Sequence, residues 1–211
     1  LRDYQESHIP GAIYLHWLRD LSDSSDPVEG QVATPEQFSA AMSSAGIANT
    51  TLVVAYDDGE ILMAPRLLWM LRYYGHHRVQ ILDGGWDRWV ASGRAVESGQ
   101  QDYPRTEFHA APHPELRRTK EEVRRLLGSA TQILDCRMDQ TWDESGEHIP
   151  GARRFPAPSL LDEAGAYIGL DEIRARASLL GLDVDQDIVL YCGGGVSASA
   201  AFMALRGAGY A

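Results

Sequence analysis

Short unbroken apolar runs alternate along the chain with stretches of helical period. In the second half, "TQILDCR" (131–137) and "DIVLYC" (187–192) predict strands, while "DEIRARASLLGL" (171–182) and residues 197–207 predict helices. In the first half, an apolar strand runs into Tyr56, "RLLWMLRYYG" (66–75) predicts a core helix, and "HRVQILDGGWDRW" (77–89) adds a further strand and turn. Uninterrupted apolar strands between helices predict an α/β sheet covered on both faces.

The pattern occurs twice. "HIPGA" stands at His8–Ala12 and again at His148–Ala152. The strand–loop–helix of 51–79 also matches that of 187–210, with Tyr56 on Tyr191, Arg72 on Arg206 and Gly75 on Gly209. Each copy is longer than a solenoid repeat, so the chain predicts two similar domains. We expect one over 1–100, a linker over 101–117 that includes prolines, and a second domain over 118–211. The second copy stops before its counterpart of 77–89, and the first opens only seven residues before His8, so both ends are expected to be clipped.

Composition narrows the function. A net charge of −11 argues against a nucleic-acid surface, and no apolar run approaches a membrane span. A small anionic substrate is still compatible, because local potential in a cleft outweighs net charge. Two cysteines, Cys136 and Cys192, do not make a disulfide scaffold; they fit a reducing, cytoplasmic compartment. No His/Cys cluster has metal-ligand spacing, and the adjacent His76 and His77 are expected to point apart. We expect no metal and no cofactor.

Cys192 ends a predicted strand, where ligands of α/β sheets bind. Gly193, Gly194 and Gly195 follow, then a helix. Glycines let the backbone curl so that its N–H groups face inward, and the helix adds the positive end of its dipole. Both favour a thiolate, the nucleophilic form. A cysteine after a strand is also a common small buried hydrophobe; loop and helix together favour the reactive role. No Gly-Lys-Ser/Thr follows, which disfavours a nucleotide loop. In the first copy Asp57 stands where Cys192 stands, and "DDGEILMA" (57–64) carries three acids, so this copy reads as catalytically silent.

Two "HIPGA" motifs, "LDGGWDRW" in the first half and the loop "CGGGVS" resemble the tandem-domain rhodanese family of sulfurtransferases, over essentially the whole chain. The resemblance implies two similar domains with mostly parallel five-stranded sheets. It implies a persulfide on Cys192, cradled by the backbone N–H groups of Gly193, Gly194, Gly195, Val196 and Ser197. The sulfur would come from thiosulfate or 3-mercaptopyruvate and pass to cyanide or a thiol. Mercaptopyruvate-type members tend to read Cys-Gly-Ser-Gly; here Gly193 agrees and Gly194 replaces the serine. Thiosulfate-type members tend to carry basic residues in the loop, and this loop has none.

Other members hold the donor with an arginine that "MDQTWDESGE" (138–147) lacks. Arg154, or less readily Arg153, is the candidate replacement, against a reading of both as surface arginines. Asp135 is expected to be structural, Arg137 to pair with an acid, and Cys136 to be a buried strand residue rather than a resolving thiol. His8 and His148 are expected to serve their turns, and Trp86 and Trp89 to pack against the sheet or a domain interface. A cysteine phosphatase or arsenate reductase would need an arginine closing the loop, which is missing. A persulfide carrier or sensor that delivers sulfur to a protein partner stays open as the non-enzymatic alternative.

Overall fold

The computed structural model describes residues 1–58, 63–138, 146–163 and 165–210. The chain divides into two units, Leu1–His113 and Pro114–Ala211. Unit 1 runs α1 (Arg2–Glu6), α2 (Trp17–Asp20), α3 (Pro35–Ser44), β1 (Val53–Ala55), α4 (Met63–Tyr73), β2 (Val79–Ile81) and α5 (Gly85–Ala91). Unit 2 runs α6 (Lys120–Leu126), β3 (Gln132–Asp135), β4 (Arg153–Arg154), α7 (Leu170–Leu179), β5 (Ile188–Tyr191) and α8 (Val196–Gly207), with short 3-10 turns at Pro114–Leu116 and Ala157–Leu160.

Among the described residues, every pairing between these strands is parallel. In unit 1, β1 lies beside β2 with Val53 opposite Val79. In unit 2 the order is β4-β3-β5, with Asp135 opposite both Arg154 and Tyr191. The central β3 is buried at all four positions, as its apolar run requires. Leu134 packs with Phe155, with Ile173 and Ala177 of α7, and with Ala201, Ala204 and Leu205 of α8. The small side chains of α8 let it approach the sheet closely. No helix among the described residues is long and apolar enough to cross a membrane.

The stretch expected as a linker is, up to His113, an extended strap bonded onto unit 1. Thr106 N donates to Ser43 O at 3.0 Å, Ala111 N to Tyr74 O at 3.1 Å and His113 N to Tyr73 O at 2.7 Å. Phe108 is buried edge-on to Phe38. The prolines of this strap punctuate an extended segment, in which backbone donors find partners on the helices they cross.

Candidate active site

The repeated motif folds the same way twice. Ala12 N donates to Ile9 O and Ala152 N to Ile149 O, each at 2.9 Å. The glycine of each turn has positive φ, 76° at Gly11 and 80° at Gly151, as a Pro-Gly turn of this type demands. A tyrosine then receives each turn: Ile9 N donates to Tyr56 Oη and Ile149 N to Tyr191 Oη, both at 3.2 Å. His8 is buried, with Nδ1 2.7 Å from Tyr4 O and its ring stacked on Tyr4. His148 is exposed.

One residue past Tyr191, Cys192 is half-buried and free of any disulfide. Gly195 N donates to Cys192 Sγ at 3.0 Å. Gly195 is the N-cap of α8 at φ 80°, held by Ser199 Oγ donating to its carbonyl at 2.6 Å. The sulfur therefore faces the N-terminal turn of a twelve-residue helix, where the dipole favours negative charge. The sequence reading asks all three glycines to curl the loop, but only Gly195 takes a left-handed conformation. At Gly193 and Gly194, an added Cβ would meet nothing within 4 Å among the described residues. Among the described residues, nothing requires glycine at either position.

A buried polar network sits below the loop. Asp135 is fully buried, and Arg137 binds it through Nε at 2.9 Å and Nη2 at 2.6 Å. Arg137 Nη2 also donates to Glu147 O at 2.7 Å, just before the second turn. The Tyr191 hydroxyl donates to the Asp135 carboxylate. Burial alone would push the Asp135 carboxyl up; hydrogen bonds from Arg137 and Tyr191 outweigh it and hold it below the usual carboxylate range. Burial, reinforced by the bond to Asp135, pushes the Tyr191 phenol up to about 12.

The corresponding place in unit 1 carries an aspartate. Asp57 Oδ2 accepts the N–H of Ala64 at 2.7 Å, in the first turn of α4. The motif "LDGGW" closes over it: Trp86 N donates to Asp57 O at 2.9 Å. A Cβ at Gly85 would stand 2.4 Å from that same oxygen, so only glycine fits. The Trp86 ring lies on Tyr56, and Trp89 Nε1 donates to Ala95 O at 2.8 Å. A helix, α5, begins where the sequence reading has a turn. Residues 59–62 of the acidic loop lie outside the described residues.

The two arginines after the second motif part company. Arg153 Nη1 donates to Leu180 O at 2.6 Å and Gly181 O at 3.1 Å, and Nη2 to Gln132 Oε1 at 2.8 Å. It ties the end of α7 to β3, which removes it as a donor-binding cation. Arg154 shares the last rung of the sheet with Asp135 and Tyr191, and strand alternation sends it to the opposite face from Arg153. Residues 139–145 of the arginine-free stretch lie outside the described residues. Cys136 is fully buried, and burial, with Cys192 and Asp135 nearby, raises its thiol well above the ordinary range. His76 turns inward between Asn49 O and Arg78 O, while His77 is exposed.

The rhodanese-like domain model matches residues 2–92 and 119–211. The chain is 33% identical over 216 residues to the 3-mercaptopyruvate sulfurtransferase of Escherichia coli K12, covering 97% of this chain and 75% of that protein. It is 30% identical over 208 residues to the sulfur carrier protein TtuD of Thermus thermophilus, covering 90% and 72%. The crystal structure of SseA from Escherichia coli, a 3-mercaptopyruvate sulfotransferase of "Rhodanese" fold, superposes with a TM-score of 0.90 at 32% identity, covering 98% of this chain and 80% of that one. The chain belongs to the rhodanese family and is a tandem-domain sulfurtransferase.

Proposed function

We propose that Cys192 carries sulfur from a small anionic donor, 3-mercaptopyruvate or thiosulfate, to cyanide or a thiol. The Cys192 thiolate attacks the transferable sulfur of the donor, the thiol sulfur of 3-mercaptopyruvate or the outer sulfur of thiosulfate. The bond holding that sulfur breaks, and pyruvate (as its enolate, which takes up a proton) or sulfite leaves with the electron pair. The resulting persulfide is attacked at its outer sulfur by the acceptor, and the thiolate returns. One difficult transfer becomes two easier ones.

The observation that carries this reading is the Gly195 N–H on Cys192 Sγ at 3.0 Å, at the start of α8. The amides of Gly193, Gly194, Val196 and Ser197 complete the proposed cradle. Arg154, on the final rung of the sheet, is the proposed cation for the donor's anionic group; it reaches the donor over the carboxyl edge, from the face it shares with Asp135 and Tyr191. The likeness to a 3-mercaptopyruvate sulfurtransferase favours that donor. Two free cysteines fit a reducing compartment such as the cytoplasm.

Reduced protein exposed separately to 3-mercaptopyruvate and thiosulfate is expected to gain one sulfur atom by mass spectrometry, and Cys192→Ser none. No gain from either donor overturns the reading. Arg154→Ala should raise the donor KM; an unchanged KM removes Arg154 from the site. The likeness to a sulfur carrier supports a second reading, delivery to a protein partner. Repeated turnover with cyanide decides for the enzyme, and stoichiometric transfer alone for the carrier.

A further inference from the structure

We infer that Cys136 is a resolving thiol: without an acceptor, it discharges the sulfur held on Cys192 as hydrosulfide and closes a Cys136–Cys192 disulfide. The inference rests on the persulfide reading above.

The sheet register brings the two cysteines together. Asp135 stands opposite Tyr191 on parallel strands, and Cys136 N donates to Tyr191 O at 2.8 Å. Cys136 and Cys192 each follow that rung directly, one residue past the end of their strand, and the two thiols are close enough to interact electrostatically. Neighbouring strands run about 4.8 Å apart, within the Cα separations of about 4.4–6.8 Å that disulfides span. Residues at one register position share a face, and faces alternate along a strand. Leu134, Cys136, Leu190 and Cys192 accordingly meet in one apolar cluster. Cys136 is fully buried, so it approaches Cys192 from the core, where an external acceptor cannot enter.

The chemistry balances with the donor's own sulfur as oxidant. The Cys136 thiolate attacks Cys192 Sγ. The bond from Sγ to the outer sulfur breaks, and that sulfur leaves with the electron pair as hydrosulfide. The Cys136 proton goes to the leaving sulfur or to solvent. Two cysteine sulfurs are oxidised to the disulfide and the sulfane sulfur is reduced to sulfide; a small dithiol then restores both thiols. Burial keeps Cys136 protonated for most of the time. Resolution is therefore slow beside transfer to an acceptor, and it acts when acceptors are scarce.

The test loads wild type and Cys136→Ala with 3-mercaptopyruvate or thiosulfate, removes the donor, and incubates without acceptor. Wild type should lose its added sulfur and release stoichiometric hydrosulfide. A non-reducing peptide map should join the Cys136 and Cys192 peptides, and dithiothreitol should restore loading. Cys136→Ala should retain its sulfur. Equal loss from both proteins with no joined peptide overturns the inference and leaves the persulfide reading standing. Failure of both to take up sulfur overturns both. Should Cys136→Ala not fold, the wild-type peptide map decides alone: a joined peptide supports the inference, and its absence overturns it.

Discussion

The hydroxyl of Tyr191 accepts the backbone N–H of Ile149 at 3.2 Å. It also donates to Asp135, so one phenol ties the second Pro-Gly turn to the strand that ends at Cys192. Tyr56 holds Ile9 at the same 3.2 Å, but an aspartate follows it. Replacing either tyrosine by phenylalanine leaves a backbone donor unmatched, at about 1–2 kcal/mol each. Thermal unfolding should register both changes. Sulfur transfer should fall in Tyr191→Phe alone; an equal fall in Tyr56→Phe would show that the turn acts only through stability.

The Asp135–Arg137 pair predicts acid sensitivity. Asp135 is held below its unfolded value of about 3.9, so its contribution is complete above that pH and is lost as pH falls through the folded value. Asp135→Asn leaves the Arg137 charge without its partner carboxylate and should cost about 3 kcal/mol at neutral pH. Denaturant titrations at several pH values should find the gap to wild type narrowing in acid. A gap independent of pH would mean that the carboxylate's charge is not what stabilises the site.

Asp57 caps α4 from across the loop, accepting from Ala64 N. Asp57→Ala should lower stability by about 1 kcal/mol, the usual worth of a helix cap. Rates with donor and acceptor should be unchanged at a temperature where the variant is folded. Unchanged rates would support the expectation that unit 1 is catalytically silent, and a loss of kcat under those conditions would overturn it.

The loop glycines divide into one that the backbone needs and two that it does not. Gly195→Ala forces a side chain into a φ of 80° and should cost about 1–2 kcal/mol. Gly194→Ser meets open space among the described residues and should stay within about 0.5 kcal/mol of wild type. Because mercaptopyruvate-type relatives tend to carry serine there, Gly194→Ser should raise kcat/KM for 3-mercaptopyruvate relative to thiosulfate. An unchanged ratio would remove position 194 from donor choice.

Much of this was legible in the chain because duplication supplies its own alignment. The paired motifs locate Tyr56 against Tyr191, and the difference one residue later, Asp57 against Cys192, is what the proposal of Cys192 as the reacting group rests on. Local chemistry also carried the strand–loop–helix at Cys192, since glycine and helix dipole act within a few residues. What stayed hidden depends on partners distant in sequence. Arg153 is spent on carbonyls at 180 and 181, the strap up to His113 finds acceptors on α3 and at the end of α4, and Gly85 is fixed by the carbonyl of Asp57. The curl of the loop was legible only in part for a related reason: three glycines in a row look like one conformational demand, and only the dihedral angles show that Gly195 alone takes the left-handed conformation.

The Asp57 bond to α4 has a consequence for unit 2. In unit 1 the acceptor at the start of the helix is an aspartate side chain, built into the chain. On the proposed mechanism, the acceptor that unit 2 presents to α8 is the Cys192 sulfur, which changes as it is loaded and discharged, so the folding free energy of unit 2 should follow the stage of the reaction. On that mechanism the two halves of one duplicated architecture differ in rhythm: one is permanently settled, and the other should tighten and slacken once per turnover.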